Sequence, residues 1–409
     1  MRVMHSSDWH LGRRLYGQSR DDEFEAFLTW LLEEIQRQAV DVLLLAGDIF
    51  DINVPSNRAQ QLYYQFLRRI GQTQCRHVVV IAGNHDSPSF LDAPQELLKA
   101  LNIHVVGSKR DDIADELVCI YDDAGQLELL VAAVPYLRDR DVRSSSAGES
   151  YSEAAEKLKD GVAQHYQEIA ALAALKRQES GRQVPIIGMG HLFTEGGLTV
   201  EGDGVRELHV GTLAQIESRL ISQGFDYLAL GHLHVPQIVA GNEMIAYCGS
   251  PLAMGFNEAG QQKSLRIIEF QENAKPGIEV LPIPVWQKLE PVQGDWPAIA
   301  EKLLELKNAD VDAWLEIVYE SDELCVDLRE KVHALLEGTR LLPLRIINKQ
   351  VTDTILQAEA EIDCLQDMDH EQVFQRRLEI EQLPAEQQEQ LFMLYQNLLR
   401  DLLEEDQNK

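Results

Sequence analysis

Short, uninterrupted apolar runs recur through the first 285 residues, most of them closed by a glycine or a charged side chain. Residues 42–46, 77–82, 185–189 and 227–230 are such runs. They read as strands buried on both faces, because a half-exposed strand would alternate apolar and polar positions. Val3-Met4-His5 is a shorter strand of the same kind, and 103–107 and 127–135 add two more. Elsewhere the period changes to that of a helix. Phe24, Phe27, Leu28, Leu31, Leu32 and Ile35 fall on one stripe behind Asp21 and Asp22, whose charges suit a helix N-terminus. Further helices are predicted over 57–70 and about 153–176. The stretches at 237–239, 245–247, 265–268 and 278–283 read as antiparallel hairpins closing a sheet. The polar stretch 138–152 reads as an exposed connection, the glycine-rich stretch 194–204 as surface, and His209 as structural.

The residues just past each strand are more informative than the strands. Val3–His5 leads to Asp8-Trp9-His10, and the run 42–46 to Gly47-Asp48-Ile49-Phe50-Asp51. The run 77–82 leads to Gly83-Asn84-His85-Asp86, 185–189 to Gly190-His191, and 227–230 to Gly231-His232-Leu233-His234. Each has an ordinary reading alone: a capping aspartate, Gly-Asn turn chemistry, a histidine satisfied in a core. Five strand ends that all deliver ligand-capable residues read differently, since ligands gather outside the carboxyl ends of strands in α/β sheets. On extended backbone the outer residues of D-x-H and H-x-H turn to the same side, as shared ligands would.

Imidazole and oxygen donors without cysteine fit manganese, iron or zinc better than magnesium or calcium, and disfavour a structural zinc site. The set suffices for two divalent ions. Asp48 is assigned as the bridge, with Asp8, His10 and His234 on one ion and Asn84, His191 and His232 on the other. A pair of ions ~3.5–4 Å apart clamps the attacking and leaving oxygens of an in-line displacement at phosphorus. His85 remains to face the substrate, stabilising charge or protonating the leaving oxygen, with Asp51 or Asp86 as its orienter.

Composition then narrows the picture. The chain has 409 residues, enough for two or three domains, and is 45% hydrophobic and 25% charged, as a soluble globular protein is. No run approaches the ~18 apolar residues of a membrane span, and a cytoplasmic protein is expected. Five scattered cysteines (Cys75, Cys119, Cys248, Cys325, Cys364) form no C-x-x-C pair and read as reduced thiols. The net charge of −30 argues against a nucleic-acid binder if taken alone. Residues 353–409, however, hold 15 acids against four bases, a net of −11, and metal ions would invert the field at a carboxylate-rich site. Much of the grip on a polyanion is therefore expected to come from a partner.

Beyond a polar link at 286–293, the pattern predicts helix, strand, helix, strand at 296–306, 313–319, 323–337 and 342–350. From Asp369 two amphipathic helices are predicted. Asp369 and Gln372 make a capping box, with one apolar stripe of Val373, Phe374 and Leu378 and another of Leu391, Leu394, Leu398 and Leu402. Neither stripe can be buried within the tail alone, which suggests docking on a partner helix.

D-x-H, G-D-x-x-D, G-N-H-D, a lone histidine and G-H-x-H in this order resemble the signature of the calcineurin-like metallophosphoesterases. With Tyr247-Cys248-Gly249-Ser250-Pro251, the chain is most similar to the members that serve as nuclease subunits of bacterial nuclease–ATPase complexes. The strand-end argument alone would give an open doubly wound sheet. The resemblance instead implies a four-layer α/β/β/α fold, a two-sheet β-sandwich flanked by helices. It implies a nuclease domain over 1–285, a small α+β capping domain that helps seat DNA over 286–352, and a helical partner-binding segment over 353–409. It further implies two Mn2+ ions on the seven ligands, with His85 catalytic. The implied activities are 3′ to 5′ exonuclease action on double-stranded ends and endonuclease cutting of hairpins and single strands, in DNA repair, recombination and replication. The implied partner is a coiled-coil ABC-type ATPase, with a homodimer inside a heterotetramer. Two rival readings keep the same core. The cap and helical tail argue against a small-molecule phosphodiesterase or phosphatase. Seven converging polar groups argue against a non-catalytic scaffold, which has no need to bury them.

Overall fold

The computed structural model describes residues 1–122, 124–143, 150–198, 215–271, 275–321, 325 and 327–349. The predicted tail helices, His209, Cys364 and most of the glycine-rich stretch lie outside these residues. The chain forms two compact units. The first holds Met1–Val292 with Lys302–Ile317 and Leu336–Arg345; the second holds Gln293–Glu301 and Val318–Leu335 with the described residues from Ile346.

Two six-stranded sheets make up most of the first unit. One has the order Gly277–Pro282, Ser264–Glu269, Arg2–Ser6, Val42–Ala46, His77–Ile81, Ile103–Val106. Its last four strands are parallel and its first two form an antiparallel hairpin at the edge. The other has the order Gln237–Val239, Asn242–Tyr247, Tyr227–Gly231, Ile186–His191, Leu127–Ala133, Leu117–Tyr121. Its four central strands are parallel, and an antiparallel strand closes each edge.

The apolar runs are explained by burial on both faces, with alternate residues serving different layers. Val42, Leu44 and Ala46 join Leu129, Val131 and Ala133 in the core between the sheets. Leu43 and Leu45 turn outward and pack with Phe24, Phe27 and Leu31 of the helix Asp21–Arg37. On the far side Leu130 and Ala132 turn outward to meet Val162, Tyr166 and Ile169 of the helix Tyr151–Ser180. That helix starts at a capping box, Ser150 with Glu153, and stops at Gly181 with φ +68°. The result is the four-layer α/β/β/α sandwich that the family resemblance implied, and the open doubly wound sheet is excluded.

Later in the chain lie strands Lys288–Gly294, Ala313–Tyr319 and Leu341–Asn348, in that order in a small sheet, and helices Trp296–Asn308 and Leu328–Leu336. Strand Leu117–Tyr121, the short hairpin Arg14–Leu15 with Gln18–Ser19 and the helices Pro88–Asp92 and Gln95–Lys99 were not predicted.

Candidate metal centre

The five strand-end motifs come off the same end of the sandwich, and both sheets contribute. Asp8 and His10 follow the strand Arg2–Ser6, with the Asp8 amide donating to Gly47 O (3.0 Å) and the His10 amide to Asp48 O (2.9 Å). Asp48 follows Val42–Ala46, and Asn84, His85 and Asp86 follow His77–Ile81. The second sheet supplies His191 at the end of Ile186–His191, and His232 and His234 beyond Tyr227–Gly231.

The local backbone differs from the extended one expected for D-x-H and H-x-H. Asp8, His10 and Asp48 have φ of +52°, +47° and +49°, and His232 has +103°. Such conformations cost residues with a Cβ about 1–3 kcal/mol each and collect at functional sites. The side chains converge because the chain turns sharply, not because it runs straight. The glycines make the approach possible: a Cβ on Gly83 would overlap the Asp48 carboxylate, and one on Gly47, at φ +86°, would overlap the His191 ring.

The donor atoms meet at short range. His10 Nε2 lies 3.1 Å from His234 Nε2. Asn84 Oδ1 lies 3.0 Å from both His191 Nε2 and His232 Nδ1. Asp48 Oδ2 stands between the two groups, 3.2 Å from His191 Nε2 and 3.6 Å from His10 Nε2. Ligands on one octahedral ion with ~2.1 Å bonds are spaced about 3 Å apart, so these separations fit shared ions. One donor atom each from Asp8, His10 and His234 lies within 4.8 Å of the others, and the same holds for Asp8, Asp48 and His191.

Charge gives a second test of fit. Asp8 and Asp48 are buried, and neither pairs with lysine or arginine among the described residues. Burial pushes the Asp8 carboxyl up to about 6, against the pull of His191. Burial acts on Asp48 in the same sense, but His191, His10 and His85 together outweigh it and hold that carboxyl well below the usual range. Burial opposes protonation of His191, yet the Asp48 carboxylate raises it to about 9. Burial and the charge of His191 drive His232 down to about 3, leaving a neutral ring of the kind a metal binds. Protonated histidine thus balances the buried carboxylates, a task that a divalent cation would take over as it displaced the protons.

His85 sits beside this cluster, its ring centroid 4.8 Å from that of His10. Its Nδ1 is 2.7 Å from the main-chain oxygen of Asp51, an acceptor, so Nδ1 carries the proton. Its amide donates to Asp48 Oδ1 at 2.8 Å. The peptide carbonyl of Asp51 thus orients the His85 ring. The Asp51 carboxylate faces Arg13 (3.1 Å) and His10 Nδ1 (3.4 Å). Asp86 accepts from the amides of Ile49, Phe50 and Gly83 at 2.9–3.1 Å, which ties the two loops together.

Two contributors were missed in the sequence. Ser7 Oγ donates to Asp8 Oδ2 at 2.6 Å, and Arg13 pairs with Asp51. Nothing distinguishes either from an ordinary loop residue except its nearness to a motif.

Residues 1–236 match the calcineurin-like phosphoesterase family, and residues 285–382 match a domain described as the type 5 capsule protein repressor C-terminal domain. The SbcD component of the nuclease SbcCD of Escherichia coli (strain K12) is 35% identical, over 98% of this chain and 98% of that protein. The SbcD protein of Bacillus subtilis (strain 168) is 32% identical over 82% of each chain. That of Rhodobacter capsulatus is 31% identical over 86% of this chain and 87% of its own length.

Proposed function

The chain belongs to the calcineurin-like phosphoesterases and, within them, to the SbcD nuclease subunits, and from this premise we propose that it cuts DNA phosphodiesters as one half of an SbcCD-type complex. The observation that carries this reading is the convergence of Asp8, His10, Asp48, Asn84, His191, His232 and His234 at spacings near 3 Å. Asp8, His10 and His234 would hold one ion and Asn84, His191 and His232 the other, with Asp48 shared. Manganese suits this mixed nitrogen and oxygen set. When bound, the ions supply Lewis acidity to the phosphate and acidify the attacking water.

The chain's own residues do the rest. The Asp51 carbonyl holds His85 with Nδ1 protonated, so its Nε2 takes the second proton. As imidazolium, His85 gives that Nε2 proton to the departing sugar oxygen as the phosphorus–oxygen bond breaks. The Asp51 carboxylate aligns His10 through its outer nitrogen. Activity is 3′ to 5′ exonucleolytic on double-stranded ends and endonucleolytic on hairpins and single strands. It works with an SbcC-type coiled-coil ABC ATPase, in a heterotetramer containing a dimer of this chain, in DNA repair, recombination and replication. Residues 286–352 help seat DNA for the nuclease domain of residues 1–285; residues 353–409 bind the ATPase.

The test is manganese-dependent hydrolysis of an end-labelled DNA duplex, with and without the ATPase partner and ATP, beside the variant His85→Gln and with metal content measured for both. The expected result is cutting by the wild type and a loss of about 10²–10⁴-fold in His85→Gln with two ions still bound. A chain that binds two ions but leaves DNA intact, even with partner and ATP, would move the reading to small-molecule phosphate esters. A chain that binds none would leave a scaffold.

A further inference from the structure

His234 is held from behind by a buried ion pair. Glu258 is fully buried and Lys263 is 5% exposed. Lys263 Nζ donates to Glu258 Oε2 at 2.6 Å and to the main-chain oxygen of His234 at 2.9 Å. The same carbonyl accepts from the Ser250 amide at 3.2 Å. Glu258 Oε2 also accepts from the Met254 amide at 2.9 Å, and Oε1 lies 4.0 Å from His234 Nδ1. His234 thus points Nε2 toward His10 and turns its other nitrogen toward a carboxylate.

A buried ion pair is a poor device for stability, because desolvating two charges cancels most of their attraction. Apolar side chains of similar volume often replace such a pair without loss of stability. What they could not do is pin a peptide carbonyl with an ammonium group and set a carboxylate behind an imidazole. A carboxylate behind a histidine favours the tautomer with the proton on the outer nitrogen and the lone pair facing inward, and makes that lone pair more basic.

We propose that Glu258 and Lys263 are positioning residues for His234, Lys263 fixing its main chain and Glu258 biasing its tautomer through the charge it sets 4.0 Å behind Nδ1, so that Nε2 is presented to one of the two metal ions. The proposal rests on the two-metal reading of the site, and its test separates the two.

The double variant Glu258→Gln/Lys263→Met removes both charges together and strands neither, so the fold should survive. Manganese binding is then followed by isothermal titration calorimetry beside thermal unfolding. The expected outcome is cooperative unfolding close to wild type, one ion bound as in wild type and the other about 10–100-fold more weakly. Two ions held by the folded double variant with wild-type affinity overturn the positioning role while leaving the metal centre standing. A wild-type chain that binds no ion overturns the metal reading and this proposal with it. If the double variant does not fold, the wild type decides: with Zn2+ bound and histidines 15N-labelled, the signal that His234→Gln deletes should show Nδ1 protonated and Nε2 metal-shifted. The reverse assignment overturns the proposal.

Discussion

Asp51 and Asp86 look alike in the sequence, each an acid beside a metal motif, but their surroundings assign them different work. Asp86 accepts three main-chain amides that hold the loops after two strands together. Replacing it by asparagine leaves at least one buried N–H without its acceptor, at a cost of about 1–3 kcal/mol. Asp86→Asn is therefore expected to lower the melting temperature and, with it, activity. Asp51 holds His85 through its peptide carbonyl, which a substitution retains. Asp51→Asn is expected to keep its stability and to lose about tenfold in turnover or metal affinity, the low end for a residue that orients a ligand from behind. Paired thermal melts and kinetics of the two variants check this; equal loss of stability in both would contradict it. Gly83→Ala should displace the Asp48 carboxylate and abolish binding of at least one ion, as a titration with Mn2+ would show. At this scale the donors were legible because metal ligands need particular atoms, and few side chains provide them. The orienter of His85 was not legible, because a peptide carbonyl has no letter of its own.

The strands were readable as elements because each lies between two packed layers, which demands unbroken apolarity. The same property hid their arrangement. A run such as 42–46 is equally buried in an open sheet covered by helices on both faces and in a sandwich with helices on one face and a second sheet on the other. Nothing local separates the two, and only the family resemblance did. Leu117–Tyr121 escaped because it is an edge strand whose last residue is exposed, leaving a short and mixed pattern. Neighbouring strands also carry a titratable pair. His77 and His104 stack with ring centroids 5.6 Å apart, and His104 Nε2 is 3.4 Å from His77 Nδ1. Burial, with Arg76 beside it, lowers the His77 pKa; burial and the neighbouring His77 push His104 down to about 4. The unfolded chain then binds more protons than the folded one as pH falls from about 6.5 to 4. Stability supplied by the neutral pair is full above 6.5 and lost as pH drops through that window. Urea midpoints of the wild type should fall between pH 7.5 and pH 4.5, and those of His104→Gln should fall less. An equal fall in both would show that the pair is not the source.

The whole chain combines a strongly acidic surface with a site suited to phosphate, and the acid is concentrated in residues 353–409. If the apolar stripes predicted there dock on the ATPase, deleting 369–409 should abolish partner binding and spare manganese-dependent cutting of single strands; loss of both would show that the tail serves the nuclease itself. The sandwich and the site are also linked. Asp8, Asp48 and Asn84 come from one sheet, and His191, His232 and His234 from the other. Direct bonds already cross at this end, among them those from His191 Nδ1 to Ala46 O at 2.9 Å and from the His232 amide to Asp8 Oδ1 at 2.8 Å. Ions shared by both sets would add the strongest cross-links between the sheets and relieve the burial cost of two carboxylates. A site that exists only in the folded chain stabilises it by about 2.7 kcal/mol when the ion is at 100 times its Kd. Saturating manganese should then raise the melting temperature of the chelated protein by about 3–4 °C per site. Asp48→Asn, which weakens the shared ligand, should remove most of that rise, whereas His85→Gln should keep it in full while losing activity. A chelator that leaves the melting temperature unchanged would mean that the sheets do not depend on the ions to stay joined.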